Sequence, residues 1–314
     1  MVFFINGLGD HILSLPTLRG LAEVFEGRLT LITAAGNQEF LFDPINVRRR
    51  LTIPVWRGNG VWEFDWRRLF ESIGECDLFI SLAPWFSASI NLLLLRMGPV
   101  ESMGLCGPYQ VQVKSGSKHA SRKAFDVVRL LAPELQFESF TYSPSYPEAC
   151  RLAARRIYSK IPRGARVLIV HAETAPAKMW HREKFVSALD LFLDRHPEFI
   201  VLTVGLVDQC LDTGTYAERV IPAYGLPFDL SCALVSAAAL FLGVDSCMLH
   251  WADFARVPAV GLFGPGSADE FGFIVGPHIA IEVADGIQTL CVRQVVSALE
   301  FLLNDTNQST RWIV

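Results

Sequence analysis

The chain has little that would staple it, anchor it or draw it to a polyanion. Its seven cysteines are odd in number and none stand in a Cys-x-x-Cys spacing, which argues against a disulfide framework and for reduced thiols in a cytoplasmic protein. The histidines and cysteines lack ligand spacing and no Asp-x-Asp run follows an apolar strand, so no metal is expected. Basic charge is scarce. The net charge is -4 and Arg48-Arg49-Arg50 is the only dense cationic run, which excludes nucleic acid as a partner. The most hydrophobic window, Asp77 to Leu95, is divided by Pro84, serines and Asn91, so it reads as a buried strand and helix rather than a membrane span. Met1 to Ile5 carries no basic stretch of the kind that opens a signal peptide. No solenoid-period repeat or low-complexity segment is apparent.

What is present is apolar surface in quantity. With 314 residues and 51% hydrophobic content, the chain exceeds one average domain, and two α/β halves are expected. Val2 to Ile5 runs through Asn6-Gly7-Leu8-Gly9 into Asp10, after which Ile12, Leu15, Leu18 and Ala22 recur at helical spacing. Asp10 stands where a helix N-cap is expected, and Pro16 predicts an irregular start. Further apolar runs at Leu29–Thr33, Leu51–Val55, Asp77–Leu82 and Met103–Cys106 alternate with polar or amphipathic connections, the pattern of a parallel sheet wrapped by helices. Trp56 to Trp66 is aromatic and glycine-rich without a period; it reads either as an acceptor-facing loop or as a loop covering the sheet edge.

Tyr142-Ser143-Pro144-Ser145-Tyr146-Pro147 breaks the pattern, and the domain boundary is expected near residue 155, giving domains 1–155 and 156–314. The second half restarts with Val167 to Val170, then the loop His171 to Trp180, a helix ending before Pro197, and a strand at Phe199–Val204. Leu240 to Gly266 follows as strand, short helix, strand and a Gly264-Pro265-Gly266 loop. A strand at Ile279–Val283 and a final helix complete it. Two doubly wound, Rossmann-like domains facing across a cleft are predicted, with ligands at the carboxyl ends of the strands. The polar residues at those ends are Asp10, Thr174, Lys178 and Asp245.

Three ordered motifs carry a resemblance that spans nearly the whole chain: N-G-L-G-D-H-I-L-S-L-P-T-L-R from Asn6, A-E-T-A-P-A-K-M-W-H from Ala172, and G-V-D-S-C-M-L-H-W-A from Gly243 with V-P-A-V-G-L-F-G-P-G from Val257. Together they resemble glycosyltransferase family 9, the heptosyltransferases of bacterial lipopolysaccharide assembly. The resemblance implies a GT-B fold, the acceptor on the first domain, a nucleotide-diphosphate sugar (usually ADP-heptose) on the second, inversion at the anomeric carbon, and neither cofactor nor metal. It implies that Asp10, beside Gly9, is the general base, that Lys178 faces the diphosphate with Thr174 as a hydroxyl donor, and that Asp245 meets the donor sugar. The amides of Ser246, Cys247 and Met248 then open a helix suited to the diphosphate, with His250 one turn along it also toward the phosphate. Gly205, Gly264 and Gly266 are implied on the donor side, the last two letting backbone approach the nucleotide.

Each residue also has a plainer reading. Asp10 and Asp245 could be helix caps, Lys178 a solvated charge, His250 a satisfied structural group, and Gly264-Pro265-Gly266 a turn. Two departures bear on the donor: Cys247 stands where the family usually has glycine, and Leu206-Val207 follow Gly205 where many members are polar. For the acceptor, a lipopolysaccharide-type saccharide and a small-molecule glycoside stand as near equals, with peripheral membrane contact left open. A sugar-nucleotide epimerase and a non-catalytic nucleotide-sugar-binding module on the same scaffold are the alternatives.

Overall fold

The computed structural model describes residues 1–304 and 309–313, apart from 37, 59, 75, 99–100, 173–174, 212–213 and 266. The chain divides into two compact units, Met1–Thr141 and Tyr142–Val314. The division falls earlier than the expected boundary near residue 155. The break signalled by Pro144 and Pro147 is the true one, because the helix Glu148–Tyr158 already belongs to the second unit: Tyr158 Oη donates to the Leu234 carbonyl at 2.8 Å.

The first unit contains strands β1 (Val2–Phe3), β2 (Thr30–Ala34), β3 (Arg49–Ile53), β4 (Val55–Gly58), β5 (Val61–Phe64), β6 (Leu78–Ser81), β7 (Glu101–Gly104) and β8 (Val111–Gln112). Six of them form a sheet in the order β3-β2-β1-β6-β7-β8, every pair parallel. Phe3, Ile32, Phe79 and Ile90 are fully buried in its core. The helix Leu15–Val24 is clamped by the end of the unit, where buried Arg19 donates to the Phe140 carbonyl at 2.8 Å. The apolar run Leu51–Val55 does not form one strand, since Pro54 separates β3 from β4.

The aperiodic Trp56–Trp66 stretch is an antiparallel hairpin rather than a loop. Arg57 pairs with Trp62 across it and lays its guanidinium 4.0 Å from the ring centroid. The pleat therefore puts a cation and an aromatic ring in register although the sequence does not alternate cleanly in polarity.

The second unit contains β9 (Arg166–His171), β10 (Phe199–Gly205), β11 (Val220–Tyr224), β12 (Leu240–Val244), β13 (Ala259–Phe263), β14 (His278–Glu282) and β15 (Ser309–Ile313). They form one parallel sheet in the order β11-β10-β9-β12-β13-β14-β15. The central strands are continuous apolar runs, Leu240, Leu242 and Val244 being fully buried, as a sheet covered on both faces requires. β15 is a strand the sequence pattern did not mark. Among the described residues, no helix is long and apolar enough to cross a membrane.

Both sheets start in the middle, build outward to one edge, then return to build the other. The reversal lies between β1 and β6 in the first unit and between β9 and β12 in the second. Connections leaving the two strands at such a point pass to opposite faces, which opens a crevice beyond their carboxyl ends.

Candidate functional site

In the second unit the crevice is lined by the segments that follow β9 and β12. After β9 the chain makes a short turn, Pro176–Lys178, closed by the Lys178 amide donating to the Ala175 carbonyl at 2.8 Å. Beyond it the chain is pinned to the segment at 287–290. Trp180 is buried and its indole N–H donates to the Leu290 carbonyl at 3.2 Å. Lys184 Nζ donates to the Gln288 and Leu290 carbonyls at 2.6 and 3.0 Å, and Gln288 donates back to the Met179 carbonyl. Lys178 is thus an ammonium held on a braced turn.

After β12 comes Asp245, then the helix Cys247–Phe254, whose N-cap is Ser246 in extended conformation with no side-chain cap bond. The Ser246 hydroxyl is buried without a hydrogen-bond partner among the described residues. Asp245 therefore does not cap the helix. Its carboxylate, only 5% exposed, reaches sideways to the turn after β9, where Oδ2 accepts from Lys178 Nζ at 2.6 Å. His250, one turn along and buried, places Nε2 3.8 Å from Asp245 Oδ1.

The far end of this helix is fixed by groups the sequence did not reveal. Buried Asp253 accepts from the amides of Ile274, Val275 and Gly276 at 2.7, 3.0 and 2.7 Å. Arg256 ends the run with φ 59°, in the left-handed region, and Val257 N–H returns to the Ala252 carbonyl at 2.9 Å. The helix N-terminus is consequently held in place at the crevice, where its amides and its dipole favour an anion.

Burial pushes the Asp245 carboxyl above its ordinary value; the hydrogen bond and charge of Lys178 act against that rise, and Glu270 adds to it. Lys178 keeps 41% of its side chain exposed and lies 5.1 Å from the Phe271 ring centroid. Phe271 and Glu270 belong to the short helix Ser267–Phe271 that follows β13. Their part in the site was not visible in the sequence, where they follow the Gly264-Pro265-Gly266 loop without forming a motif of their own.

Lys178, Asp245, Ser246 and His250 are therefore gathered at one point. Cys247 is half-buried and Met248 buried in the first turn of the same helix. Gly264, at the end of β13, faces open space where a Cβ would stand, and its carbonyl accepts from the Ser267 amide at 3.3 Å, so it also makes a turn. Gly205 ends β10, next to β9, with φ 147°. The two apolar side chains after it, Leu206 and Val207, are 61% and 69% exposed. Thr174 and Gly266 lie outside the described residues.

In the first unit the corresponding point lies beyond β1 and β6, where Trp85 donates its indole N–H to the Ile5 carbonyl at 3.1 Å. The helix after β1 is Leu8–Leu13, and its N-cap is Gly7, not Asp10. The chain turns helical at Leu8, two residues before the aspartate, with Gly7 as the extended cap, ψ 159°. Gly9 and Asp10 fall in the first turn, and both are half-buried. The helix breaks at Ser14, and Pro16 opens the next one, Leu15–Val24, which is the irregular start that its position predicts.

His11, next to Asp10, is buried between Phe4 and Phe42, with ring centroids 4.7 and 5.7 Å away. Its Nδ1–H donates to the Gly7 carbonyl at 2.7 Å. Burial lowers its pKa to about 4, against the pull of that bond, so the imidazole is neutral.

No protein-family model matches the chain, and no curated protein matches it in sequence. Solved structures do match. The glycosyl transferase family 9 structure from Veillonella parvula superimposes with a TM-score of 0.77, covering 97% of this chain and 96% of that one at 19% identity. The chain has the fold of a family 9 glycosyltransferase. The E. coli ADP-heptose lps heptosyltransferase II shares this glycosyltransferase fold with a TM-score of 0.73, covering 96% and 98% at 16% identity. The E. coli heptosyltransferase WaaC, solved with ADP, gives 0.63, covering 96% and 99% at 14% identity. The two doubly wound sheets predicted from the sequence are those of this fold.

Proposed function

We propose that the protein is an inverting glycosyltransferase that moves a sugar, heptose from ADP-heptose in the first instance, to a hydroxyl of a saccharide or small-molecule glycoside. The observation that carries this reading is the meeting of Lys178 and Asp245 at the switch point of the second sheet, at the N-terminus of the helix Cys247–Phe254. A glycosyl donor needs a cation for the diphosphate that leaves and a polar group for the sugar. In this reading Lys178 and the amides of Ser246, Cys247 and Met248 hold the diphosphate, the unpartnered Ser246 hydroxyl adds a donor, and Asp245 accepts from sugar hydroxyls.

The positive charge comes from the protein, so the reaction is read as independent of metal and cofactor. Asp10 is the base that takes the proton of the acceptor hydroxyl as it attacks the anomeric carbon. The sugar–phosphate bond breaks on the opposite side, and the nucleoside diphosphate departs with the bonding electrons.

Incubation of the purified protein with ADP-heptose and a panel of core-saccharide and small glycoside acceptors tests this. Release of ADP only when an acceptor is present, with a glycosylated product of the added heptose mass, supports transfer. Isomerisation of the donor without acceptor indicates the epimerase reading, and binding without turnover indicates the non-catalytic one.

A further inference from the structure

Lys178 cannot serve two anions at full strength. Its ammonium is bonded to Asp245 Oδ2 at 2.6 Å, and Asp245 is almost wholly buried while Lys178 is two-fifths exposed. The lysine is the exposed partner; the carboxylate is buried just beyond the end of β12. Drawing the ammonium toward a diphosphate lengthens or breaks the bond to Asp245. A buried carboxylate that loses its cation is costly unless other donors replace it.

We propose that Asp245 competes with the bound diphosphate for Lys178, so that the site favours an intact nucleotide sugar over the spent nucleoside diphosphate. The inference rests on the donor-site reading above. When the nucleotide carries a sugar, the sugar hydroxyls donate to Asp245 and replace the lysine. When the sugar has left, nothing on the nucleotide does so, and Asp245 recovers Lys178. The ion pair then weakens product binding and helps to clear the site. Phe271 supports the exchange by offering its ring face to the ammonium from the side, an interaction that a small movement of the lysine preserves.

The test is a double-mutant cycle on the full chain, read by calorimetric titration with ADP and, separately, with ADP-heptose. Asp245→Asn is expected to bind ADP at least threefold tighter than the natural protein and ADP-heptose no tighter, so the preference for the loaded donor collapses. In a Lys178→Ala background the same substitution is expected to leave ADP affinity unchanged. A gain that persists without Lys178 would mean that Asp245 merely repels phosphate, and would overturn the proposal, as would unchanged or weakened ADP binding in Asp245→Asn. Asp245→Ser provides the same readout should the asparagine variant not fold. If Lys178→Ala alone binds ADP-heptose as well as the natural protein does, the donor-site reading itself fails, and that outcome is separable from failure of the exchange.

Discussion

The Asp10 carboxylate folds back over Gly7: a Cβ added to Gly7 would stand 3.1 Å from Asp10 Oδ2. Gly7 has φ -65° and ψ 159°, a conformation that alanine adopts without strain, so space rather than backbone freedom is what glycine supplies here. Gly7→Ala is expected to shift the carboxylate by a few tenths of an ångström and to lower transfer roughly tenfold, since misplacement of a reacting group is felt steeply. Donor affinity should stay within about twofold, because binding is assigned to the other unit. Equal turnover in the two proteins would show that the position of Asp10 does not matter.

His11 gives the first unit a pH dependence whose sign is fixed by its burial. The folded protein holds the imidazole neutral down to about pH 4, whereas the ordinary value is 6.5. Between these values the unfolded chain binds more protons, so stability falls as the pH is lowered from about 6.5 to about 4, by about 3 kcal/mol in all. Thermal unfolding of the natural protein should lose stability across this window more steeply than His11→Gln, which keeps a donor for the Gly7 carbonyl but does not titrate. Parallel curves would contradict the assignment.

Lys178→Ala should weaken ADP-heptose binding by about tenfold to a hundredfold, the range expected for a charge-assisted hydrogen bond to phosphate. Its melting temperature should fall as well, because Asp245, 5% exposed, is left without its cation, although the turn itself stays braced by Trp180 and Lys184. Calorimetry and a melting curve on the same sample separate the two effects.

Asp253→Asn should destabilise the second unit by about 3 kcal/mol, because a side-chain amide cannot reproduce three accepted amide bonds and leaves a buried N–H group facing donors. Chemical denaturation monitored by tryptophan fluorescence is suited to the measurement, Trp180 and Trp251 both being buried in this unit.

How far the sequence disclosed this site depends on the range of the interaction. Leu240–Val244 and Val167–Val170 were legible as buried strands because a parallel sheet covered on both faces demands uninterrupted apolar runs. The residues just beyond them, Lys178 and Asp245, could then be placed at strand ends. Their pairing could not, for they are 67 residues apart and meet only because β9 and β12 are neighbours at the point where the sheet reverses. Asp253 was missed for the same reason: its three amides come from a segment beyond the next strand. Errors of local reading were of another kind. Asp10 was taken for a cap because the residues before it look like a turn, whereas the helix begins at Leu8. The hairpin at Val55–Phe64 was hidden by cross-strand pairs such as Arg57 and Trp62, which do not obey a polar–apolar alternation.

The most direct test of the account is a side-by-side measurement of donor binding and sugar transfer by the natural protein and Asp10→Ala, with ADP-heptose and an acceptor on which the natural protein is active. Loss of transfer by roughly a hundredfold or more, the contribution expected of a general base, with donor binding retained, is the predicted result. Turnover like that of the natural protein would contradict it.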